Sequence, residues 1–312
     1  MLAEKILKGD VKVAARLMRD IDDDAPGAAA LLKRLYPHTG HAHIIGLTGA
    51  PGAGKSTLID GMVQHLRQQG KNVGVLAIDP TSPYSGGAFL GDRIRMQRHA
   101  NDNSVFIKSI ATRGHLGGLS RSAFGITAVM DAMGKDVILI ETVGVGQDEV
   151  DITRLAHTTI VVITANMGDG IQAVKSGVLE TADIFALNKA DLKETEATLN
   201  DIKMMLSMRQ VRENEWKPVI VKTLALRGQG VDVLLRQAQH HWNFLKNAGL
   251  KDYWAQKATT EFMIHFRRHL VTRSLSALEP GQKWQNMMER VIQHDIDPCS
   301  AAEELIDHLL KK

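Results

Sequence analysis

The chain of 312 residues is 44% hydrophobic and 23% charged, with a formal net charge of +3. A chain of this length is predicted to form about two domains, or one large α/β unit with appendages. The net charge is too small to indicate a nucleic-acid or membrane partner. Cys299 is the only cysteine, which excludes a disulfide framework and a zinc cluster held by thiolates. Because the sequence shows no signal-peptide pattern and no apolar run of membrane-spanning length, we expect a cytoplasmic protein.

The first predicted elements are helical and lie in residues 1–40. Asp10 is placed to cap a helix that runs to about Ile21, because its carboxylate can accept a hydrogen bond from the first turn. Acidic residues and a Pro-Gly pair end this helix, and Ala28–Leu35 forms a second one. These residues are predicted to be a helical extension of the domain that follows.

In residues 41–248, short apolar runs alternate with longer amphipathic stretches. Most of the runs are continuously apolar, which is typical of parallel strands covered on both faces. The predicted strands are Ile44–Thr48, Val73–Ile78, Val105–Ile107, Val137–Ile140, Thr159–Thr164, Ile184–Leu187 and Val219–Val221. Predicted helices between them include Gly118–Met133, Leu192–Met208 and Val231–Lys246. This alternation predicts an α/β fold with a doubly wound, mostly parallel sheet.

Residues 249–312 contain no predicted strand and form a C-terminal helical region. Three helical stretches are predicted there, at about 252–277, 282–293 and 298–311. An apolar stripe in the last of them consists of Leu305, Ile306, Leu309 and Leu310. We expect this stripe to pack either on the core of its own chain or on a second copy of the chain.

A glycine-rich segment, Gly46–Thr57, fits the pattern G-x-x-x-x-G-K-[ST] between a predicted strand and a predicted helix. Backbone N–H groups and the helix N-terminus attract phosphates in such a loop. Lys55 is expected to reach the β- and γ-phosphates, and Ser56 to ligate Mg²⁺. The residues predicted to surround the phosphates are Gly49, Ala50, Pro51, Gly52, Ala53, Gly54, Lys55, Ser56 and Thr57. The segment therefore predicts binding of a nucleoside triphosphate, the alternative being a glycine turn of an ordinary βαβ unit.

The tetrapeptide Asn188–Asp191 directly follows a predicted strand and has the pattern N-K-x-D. The Asp191 carboxylate can accept hydrogen bonds from N1–H and the 2-amino group of guanine, whereas adenine lacks both donors. Asn188 is expected to brace the base from its other edge, and the stem of Lys189 to lie over the ring. Downstream of a P-loop this motif favours GTP over ATP.

Three acidic residues compete for the metal beside the γ-phosphate, two at the ends of predicted strands and one, Asp92, in the glycine-rich segment Gly86–Met96. Glu141 ends an apolar run as a Walker-B carboxylate does, and Gly144 after it is placed to sense the γ-phosphate. Asp79 and Asp92 are further candidates, because Mg²⁺ takes few protein ligands and keeps waters. Which of the three contact the metal directly is left open. Glu141 and Asp92 are predicted to act in catalysis together with Lys55.

Three histidines precede the P-loop strand, at positions 38, 41 and 43. Some nickel-delivery GTPases store metal in histidine-rich N-terminal segments. Without accompanying cysteines, His38, His41 and His43 are expected to be surface residues.

Together these motifs resemble the MeaB/ArgK family of P-loop GTPases, which includes the human protein associated with methylmalonic aciduria type A. The likeness covers nearly the whole chain. The matching segments are Gly46–Thr57, Ile78–Pro83, Gly86–Met96, Arg113–Gly118, Glu141–Gln147, Gln172–Lys175 with Gly177, Asn188–Asp191 and Val291–Ala302.

The resemblance implies a GTPase that cycles between GTP and GDP and chaperones an adenosylcobalamin-dependent acyl-CoA mutase, such as methylmalonyl-CoA mutase. In that family, GTP binding and hydrolysis gate cofactor loading and protect the mutase from inactivation. The resemblance also implies a homodimer joined through the C-terminal helices, and an additional switch around Gln172 and Lys175. A nickel-type metallochaperone GTPase and a small-molecule kinase are the alternative functions.

The sequence departs from the family pattern at three places. Asp148 stands where relatives often have serine, and Asn166–Gly170 replaces a more glycine-rich acidic switch. Thr223–Gly228 occupies the place of the loop that contacts the base, so Leu224 and Ala225 are expected at the nucleotide in place of Ser-Ala. These differences bear on partner choice and coupling more than on GTP binding.

Overall fold

The computed structural model describes residues 2–79, 97–99, 101–111, 122–142, 148–165, 182–208, 215–247, 250–278 and 281–310. The chain divides into two compact units, Met1–Gly249 and Leu250–Lys312. In the described residues, no helix is both long enough and apolar enough to cross a membrane.

The first unit contains a parallel sheet of seven strands in the order β3-β2-β4-β1-β5-β6-β7. Its strands are β1 (His43–Thr48), β2 (Val73–Asp79), β3 (Val105–Ala111), β4 (Val137–Thr142), β5 (Thr158–Thr164), β6 (Ile184–Asn188) and β7 (Val219–Thr223). The predicted α/β fold is therefore confirmed. The order places β1 between β4 and β5, so the loop after β1 lies beside the carboxyl ends of both neighbours.

Helices cover both faces of the sheet. The α-helices in the described residues of the first unit are α1 (Leu2–Leu7), α2 (Val11–Asp22), α3 (Ala28–Leu35), α4 (Lys55–Gln68), α5 (Ser122–Ala132), α6 (Asp148–Leu155), α7 (Thr195–Met208) and α8 (Val231–Asn247). Helices α4 and α8 share one buried cluster with the sheet, which includes Leu58 and Leu234. Helices α1, α2, α3, α5 and α6 contribute to a separate cluster, which includes Ile126 and Ile152. Burial on both faces explains why the strands are continuously apolar.

Strand β3 extends four residues beyond its predicted end at Ile107, because polar residues continue the pairing. Lys108 and Ser109 interrupt the apolar run, yet they pair in register with Leu76 and Ala77 of β2. An edge strand tolerates polar side chains since only one of its sides is paired. The sequence pattern alone therefore gave too short a strand.

The N-terminal helices are tied to the entry of β1. Asp10 caps α2 as predicted, accepting a hydrogen bond from the Val13 backbone N–H at 3.1 Å. At the other end of the extension, the buried Asp131 carboxylate of α5 accepts bonds from the backbone N–H groups of Gly40, His41 and Ala42. These three bonds fix the path of the chain into the strand that carries the P-loop.

His43 is buried, so the expectation that it lies on the surface is wrong. Its ring stacks on Trp242 of α8 with centroids 5.0 Å apart, and its Nε2 shares a 2.8 Å hydrogen bond with Thr158 Oγ1. Burial lowers the pKa of His43 to about 3, with further contributions from His241 and Lys246. His38 and His41 are exposed, as expected. The alternation of side chains at the start of β1 turns His43 toward α8.

We expect the free energy of unfolding to decrease as the pH falls below the ordinary pKa of histidine. Unfolded His43 takes up a proton near pH 6.5, whereas folded His43 stays neutral down to about pH 3. Within this pH range, each unit by which the pH falls lowers the free energy of unfolding by about 1.4 kcal/mol, which amounts to about 2 kcal/mol in total at about pH 5. Above pH 6.5 both states are neutral, so His43 contributes no dependence there.

Urea unfolding of the wild type, His43→Gln and His41→Gln at neutral and mildly acidic pH measures this effect. Glutamine retains an amide that can bond to Thr158 but does not titrate. The free energy of unfolding of His43→Gln should decrease less between neutral and mildly acidic pH than that of the wild type. The exposed control His41→Gln should show the same decrease as the wild type. An acid sensitivity in His43→Gln equal to that of the wild type would contradict the assignment.

The second unit is helical, with α9 (Leu250–Leu278), α10 (Gln282–Ile292) and α11 (Pro298–Leu310). Its described core joins α10 and α11 through Met287, Ala301 and Leu305. Of the predicted apolar stripe, Leu305 is buried and Ile306 is exposed, while the side chains of Leu309 and Leu310 lie outside the described residues. Helix α9 exposes several large apolar side chains within this unit, namely Phe262, Phe266, Leu270 and Val271.

Candidate functional site

A cavity of about 510 Å³ lies at the carboxyl edge of the sheet, where the P-loop and the N-K-x-D segment meet. Ligands of open α/β sheets bind at this edge, and the volume is in the range of small-molecule sites. The lining residues are Gly52, Gly54, Lys55, Ser56, Thr57, Glu141, Asn188, Lys189, Asp191, Leu192, Leu224, Ala225, Leu226 and Arg227. Motifs that are far apart in the sequence thus line one cavity.

Two P-loop glycines are required by close packing of the loop on the sheet. Gly49 has a φ of +132°, and an added Cβ would collide with the carbonyl oxygen of Val162 in β5. Gly54 has a φ of +96°, and an added Cβ would collide with the side-chain amide of Asn188. A side chain at either position would displace the loop from β5 or β6. The closely packed loop leaves a cradle that suits phosphate oxygens.

The Lys55 ammonium is buried and held by carbonyl groups of the P-loop itself. Its Nζ donates to the Gly49 oxygen at 2.6 Å and to the Ala50 oxygen at 3.1 Å. Lys55 is the first residue of α4, so its charge lies where the helix N-terminus also attracts anions. The positive charge is therefore fixed beside the phosphate cradle before a ligand enters.

Ser56 and Glu141 lie together beside the P-loop. The Ser56 hydroxyl donates to Glu141 Oε1 at 2.6 Å, and both side chains are buried. Pairing of β1 with β4 sets Leu47 opposite Glu141, which brings the acidic side chain to the base of the loop. A hydroxyl and a carboxylate are oxygen ligands of the kind that Mg²⁺ prefers, so these two residues fit a magnesium site.

The other predicted metal and γ-phosphate residues are only partly covered by the structure. Asp79 is the last residue of β2, at the same edge of the sheet, but its side chain is not among those described. Asp92 and Gly144 lie outside the described residues, as do Gln172 and Lys175. Their roles therefore stay predictions.

Asn188 connects the two halves of the cavity through hydrogen bonds to the protein. Its Nδ2 donates to the Ala53 oxygen of the P-loop at 2.9 Å. Its Oδ1 accepts from Thr223 Oγ1 at 3.1 Å and from the Ala225 backbone N–H at 3.2 Å. The buried amide thus positions both the phosphate loop and the loop after β7, a role that the sequence did not reveal. Contact of Asn188 with a base stays a prediction.

Lys189 and Asp191 form the wall where a base is expected. Lys189 adopts a φ of +56°, a left-handed conformation that is uncommon for residues other than glycine. Both side chains are exposed at the cavity. The hydrogen bond from the Ala190 backbone N–H to the Thr223 oxygen, 3.2 Å long, ties this turn to β7. The turn is thus braced so that the Lys189 stem and the Asp191 carboxylate border the same space.

The loop after β7 completes the cavity with residues that the sequence motifs only partly indicated. Leu224 pairs with Gln229, and this bridge closes a short turn over residues 225–227. Leu224 and Ala225 line the cavity as expected, and Leu226 and Arg227 line it as well. Leu226 is 92% exposed at the rim. No motif distinguishes Leu226 or Arg227 from ordinary loop residues, so sequence reasoning missed them.

Comparison with known proteins identifies relatives over most or nearly all of the chain. Residues 14–279 match the family model described as methylmalonyl Co-A mutase-associated GTPase MeaB. A putative GTPase of Pyrococcus abyssi is 42% identical over 311 residues, covering 99% of this chain and 96% of the relative. The mitochondrial methylmalonic aciduria type A homolog of Mus musculus is 34% identical over 274 residues, covering 84% of this chain and 64% of the relative.

A solved structure has the same fold over nearly the full length. The crystal structure of an LAO/AO transport system kinase superposes with a TM-score of 0.74 and 22% sequence identity, covering 99% of this chain and 96% of the other. At this identity the likeness concerns the fold alone.

Proposed function

We propose, since the chain belongs to the MeaB family of GTPases, that it serves an adenosylcobalamin-dependent acyl-CoA mutase of the methylmalonyl-CoA mutase type. In this role, binding and hydrolysis of GTP gate cofactor loading and protect the mutase. The observation that carries the proposal is the family match over residues 14–279, joined to a cavity in which both nucleotide motifs meet. The mouse relative, named for methylmalonic aciduria, supports the choice of mutase.

The side chains around the phosphate cradle support hydrolysis of a terminal phosphate by water. The Lys55 ammonium would stabilise negative charge on the β- and γ-phosphates, and preorganised charge of this kind is the main contribution of a protein to phosphoryl transfer. Ser56 and Glu141 would hold Mg²⁺, which supplies neutralisation of phosphate charge when bound. Their 2.6 Å contact keeps two oxygen ligands beside Lys55.

Asp191 supports guanine as the base. Asp191 lines the cavity together with the P-loop residues, within a turn braced by β7. Two hydrogen bonds from guanine to one carboxylate would exclude adenine, which leaves that carboxylate without donors. The apolar Leu224 and the stem of Lys189 would enclose the ring.

A homodimer formed through the C-terminal unit is part of the proposal. Helix α9 carries Phe262, Phe266 and Leu270 at a spacing of four residues, which places them on one helix face. All three are exposed within the described residues of the chain. A second copy that covered this face would remove large apolar side chains from water.

A cytoplasmic location also stays a prediction.

Nickel delivery is less well supported than service to a mutase. In the parts of the chain that the structure describes, no group of three or more histidine, cysteine, aspartate or glutamate side chains could hold a metal ion. His43 is stacked on Trp242, apart from the exposed His38 and His41. A metal titration that found stoichiometric nickel or zinc would favour the metallochaperone alternative.

Formation of a nucleotide-dependent complex with a purified mutase tests the proposal. The protein is mixed with an adenosylcobalamin-dependent methylmalonyl-CoA mutase from the same organism, with GDP or with a nonhydrolysable GTP analogue. Sedimentation velocity should show a complex whose dissociation constant differs between the two nucleotides by about tenfold, a typical coupling energy. The variant Lys55→Ala should lose this difference. No complex with either nucleotide would reject the mutase as partner.

A further inference from the structure

The connection between β2 and β3 returns to the sheet along helix α4, and two ion pairs fasten it there. The returning residues 97–99 and 101–104 are described, whereas residues 80–96 lie outside the described part of the chain. Asp60 of α4 binds the turn at Arg98 and His99, and Arg67 of α4 binds Asp102. We name the returning residues the strap. Its two fastenings lie seven residues apart on α4, or about 10 Å along the helix axis.

The Asp60 fastening has several donors on one carboxylate. Arg98 Nε donates to Asp60 Oδ1 at 2.6 Å, and a second guanidinium nitrogen contacts Asp60 Oδ2. His99 Nε2 lies 2.9 Å from Asp60 Oδ1 and 3.2 Å from Arg98 Nε, so the ring adjoins both members of the ion pair, and it donates to the carboxylate in the tautomer that carries its proton on Nε2. The side chains of Asp60 and His99 are mostly buried. A bidentate arginine with a further donor fixes orientation as well as distance.

Asp60 also lies close to the phosphate end of α4. It follows Ser56 by four residues, so the two side chains share one face of the helix. The first turn of α4 therefore presents the Ser56 hydroxyl, which contacts Glu141. The next turn carries Asp60, which binds the strap at its first residues, directly after residues 80–96 in the chain. The Arg67 fastening lies two turns further from the phosphates.

We propose that Asp60 is a positioning residue for GTP hydrolysis. It fixes the turn at residues 97–99, where the chain returns from the segment that contains Asp92, to the helix that presents Lys55 and Ser56. This inference rests on the proposed GTPase function of the cavity.

The variants Asp60→Asn and Asp102→Asn separate positioning from general loosening of the strap. Both remove one carboxylate that fastens the strap to α4, and only the first lies near Ser56. We expect Asp60→Asn to lower kcat for GTP by about tenfold, within the range found for residues that act through others. Its dissociation constant for GDP should stay within about twofold, since the phosphate loop itself is unchanged. Asp102→Asn should have the kcat for GTP and the dissociation constant for GDP of the wild type. Asp60→Glu, which restores a carboxylate, should have a kcat between those of Asp60→Asn and the wild type.

Two results would overturn the assignment while leaving the GTPase function intact. One is an Asp60→Asn variant with the kcat of the wild type, and the other is an equal loss in Asp60→Asn and Asp102→Asn. A wild type that does not hydrolyse GTP would reject the proposed function instead. In that case amide hydrogen exchange over residues 80–99 decides the role of Asp60. A positioning role is supported if the exchange rates differ between the GTP-analogue and GDP states of the wild type, and if this difference is lost in Asp60→Asn but kept in Asp102→Asn. Any other pattern rejects the role.

Discussion

Replacement of Lys55 by alanine abolishes GTP turnover, with an expected loss of at least about a thousandfold in kcat/KM. The ammonium is fixed by the Gly49 and Ala50 oxygens, which hold its charge within the P-loop. The methyl group of alanine leaves the phosphate charge without its buried cation. Phosphate release under steady-state conditions, with GTP above the KM of the wild type, measures the effect.

Lys71→Ala is the matched control for this experiment. Lys71 follows α4, is exposed, and lies 3.9 Å from Asp136. Its removal deletes the same charge from the molecule without touching the cavity, so turnover should stay at the wild-type rate. Urea unfolding of both variants shows whether the buried cation also affects folding. Hydrolysis by Lys55→Ala at the wild-type rate would reject the assignment of Gly49–Ser56 as the phosphate site.

Replacement of Asp191 by asparagine exchanges the preferred base from guanine to xanthine. The asparagine amide offers a donor where the carboxylate offered an acceptor, which repels the 2-amino group of guanine and suits the 2-oxo group of xanthine. We expect the affinity for GTP to fall by about a hundredfold or more, from two charge-assisted hydrogen bonds. Binding of fluorescent GTP and competition by xanthosine triphosphate measure both changes.

Asp201→Asn supplies the control, because Asp201 is an exposed residue of α7 that does not line the cavity. This variant should bind GTP as the wild type does and reject xanthosine triphosphate. If Asp191→Asn still discriminates against the xanthine nucleotide, the base is read elsewhere. The loop at residues 224–227 would then be the next candidate.

The architecture of the first unit follows from patterns that the sequence displays directly. Strands buried on both faces must be apolar along their length, so β1 and β4–β6 are visible as uninterrupted runs. The P-loop and the N-K-x-D segment are local motifs whose residues stand close together in the chain. Their meeting in one cavity follows because carboxyl ends of parallel strands share an edge.

The connections between motifs could not be predicted, because they depend on contacts between distant residues. The N-K-x-D motif contains Asn188 in either case, so it does not distinguish an amide that contacts a base from one that bonds to Ala53 and Ala225. Asp60 is one of many acidic residues on amphipathic helices, and only the structure brings Arg98 and His99 to it. His43 appeared to belong with two exposed neighbours, and only the position of Trp242 shows that it is buried.

These connections explain how the cavity can act as one unit. Asn188 joins the phosphate loop to the loop after β7 through hydrogen bonds to both. Asp60 joins the strap to the same helix that begins with Lys55 and Ser56. We expect a terminal phosphate bound at this helix to affect both the base side of the cavity and the turn at residues 97–99. Such linkage is the physical requirement for a nucleotide state that a partner protein can detect.

The most direct test of this account is the rate of phosphate release from GTP while a purified adenosylcobalamin-dependent methylmalonyl-CoA mutase is titrated into the protein. We expect a slow rate that rises and saturates as the mutase binds, and no comparable release from ATP. A rate of GTP hydrolysis that stays constant up to saturating mutase would contradict it.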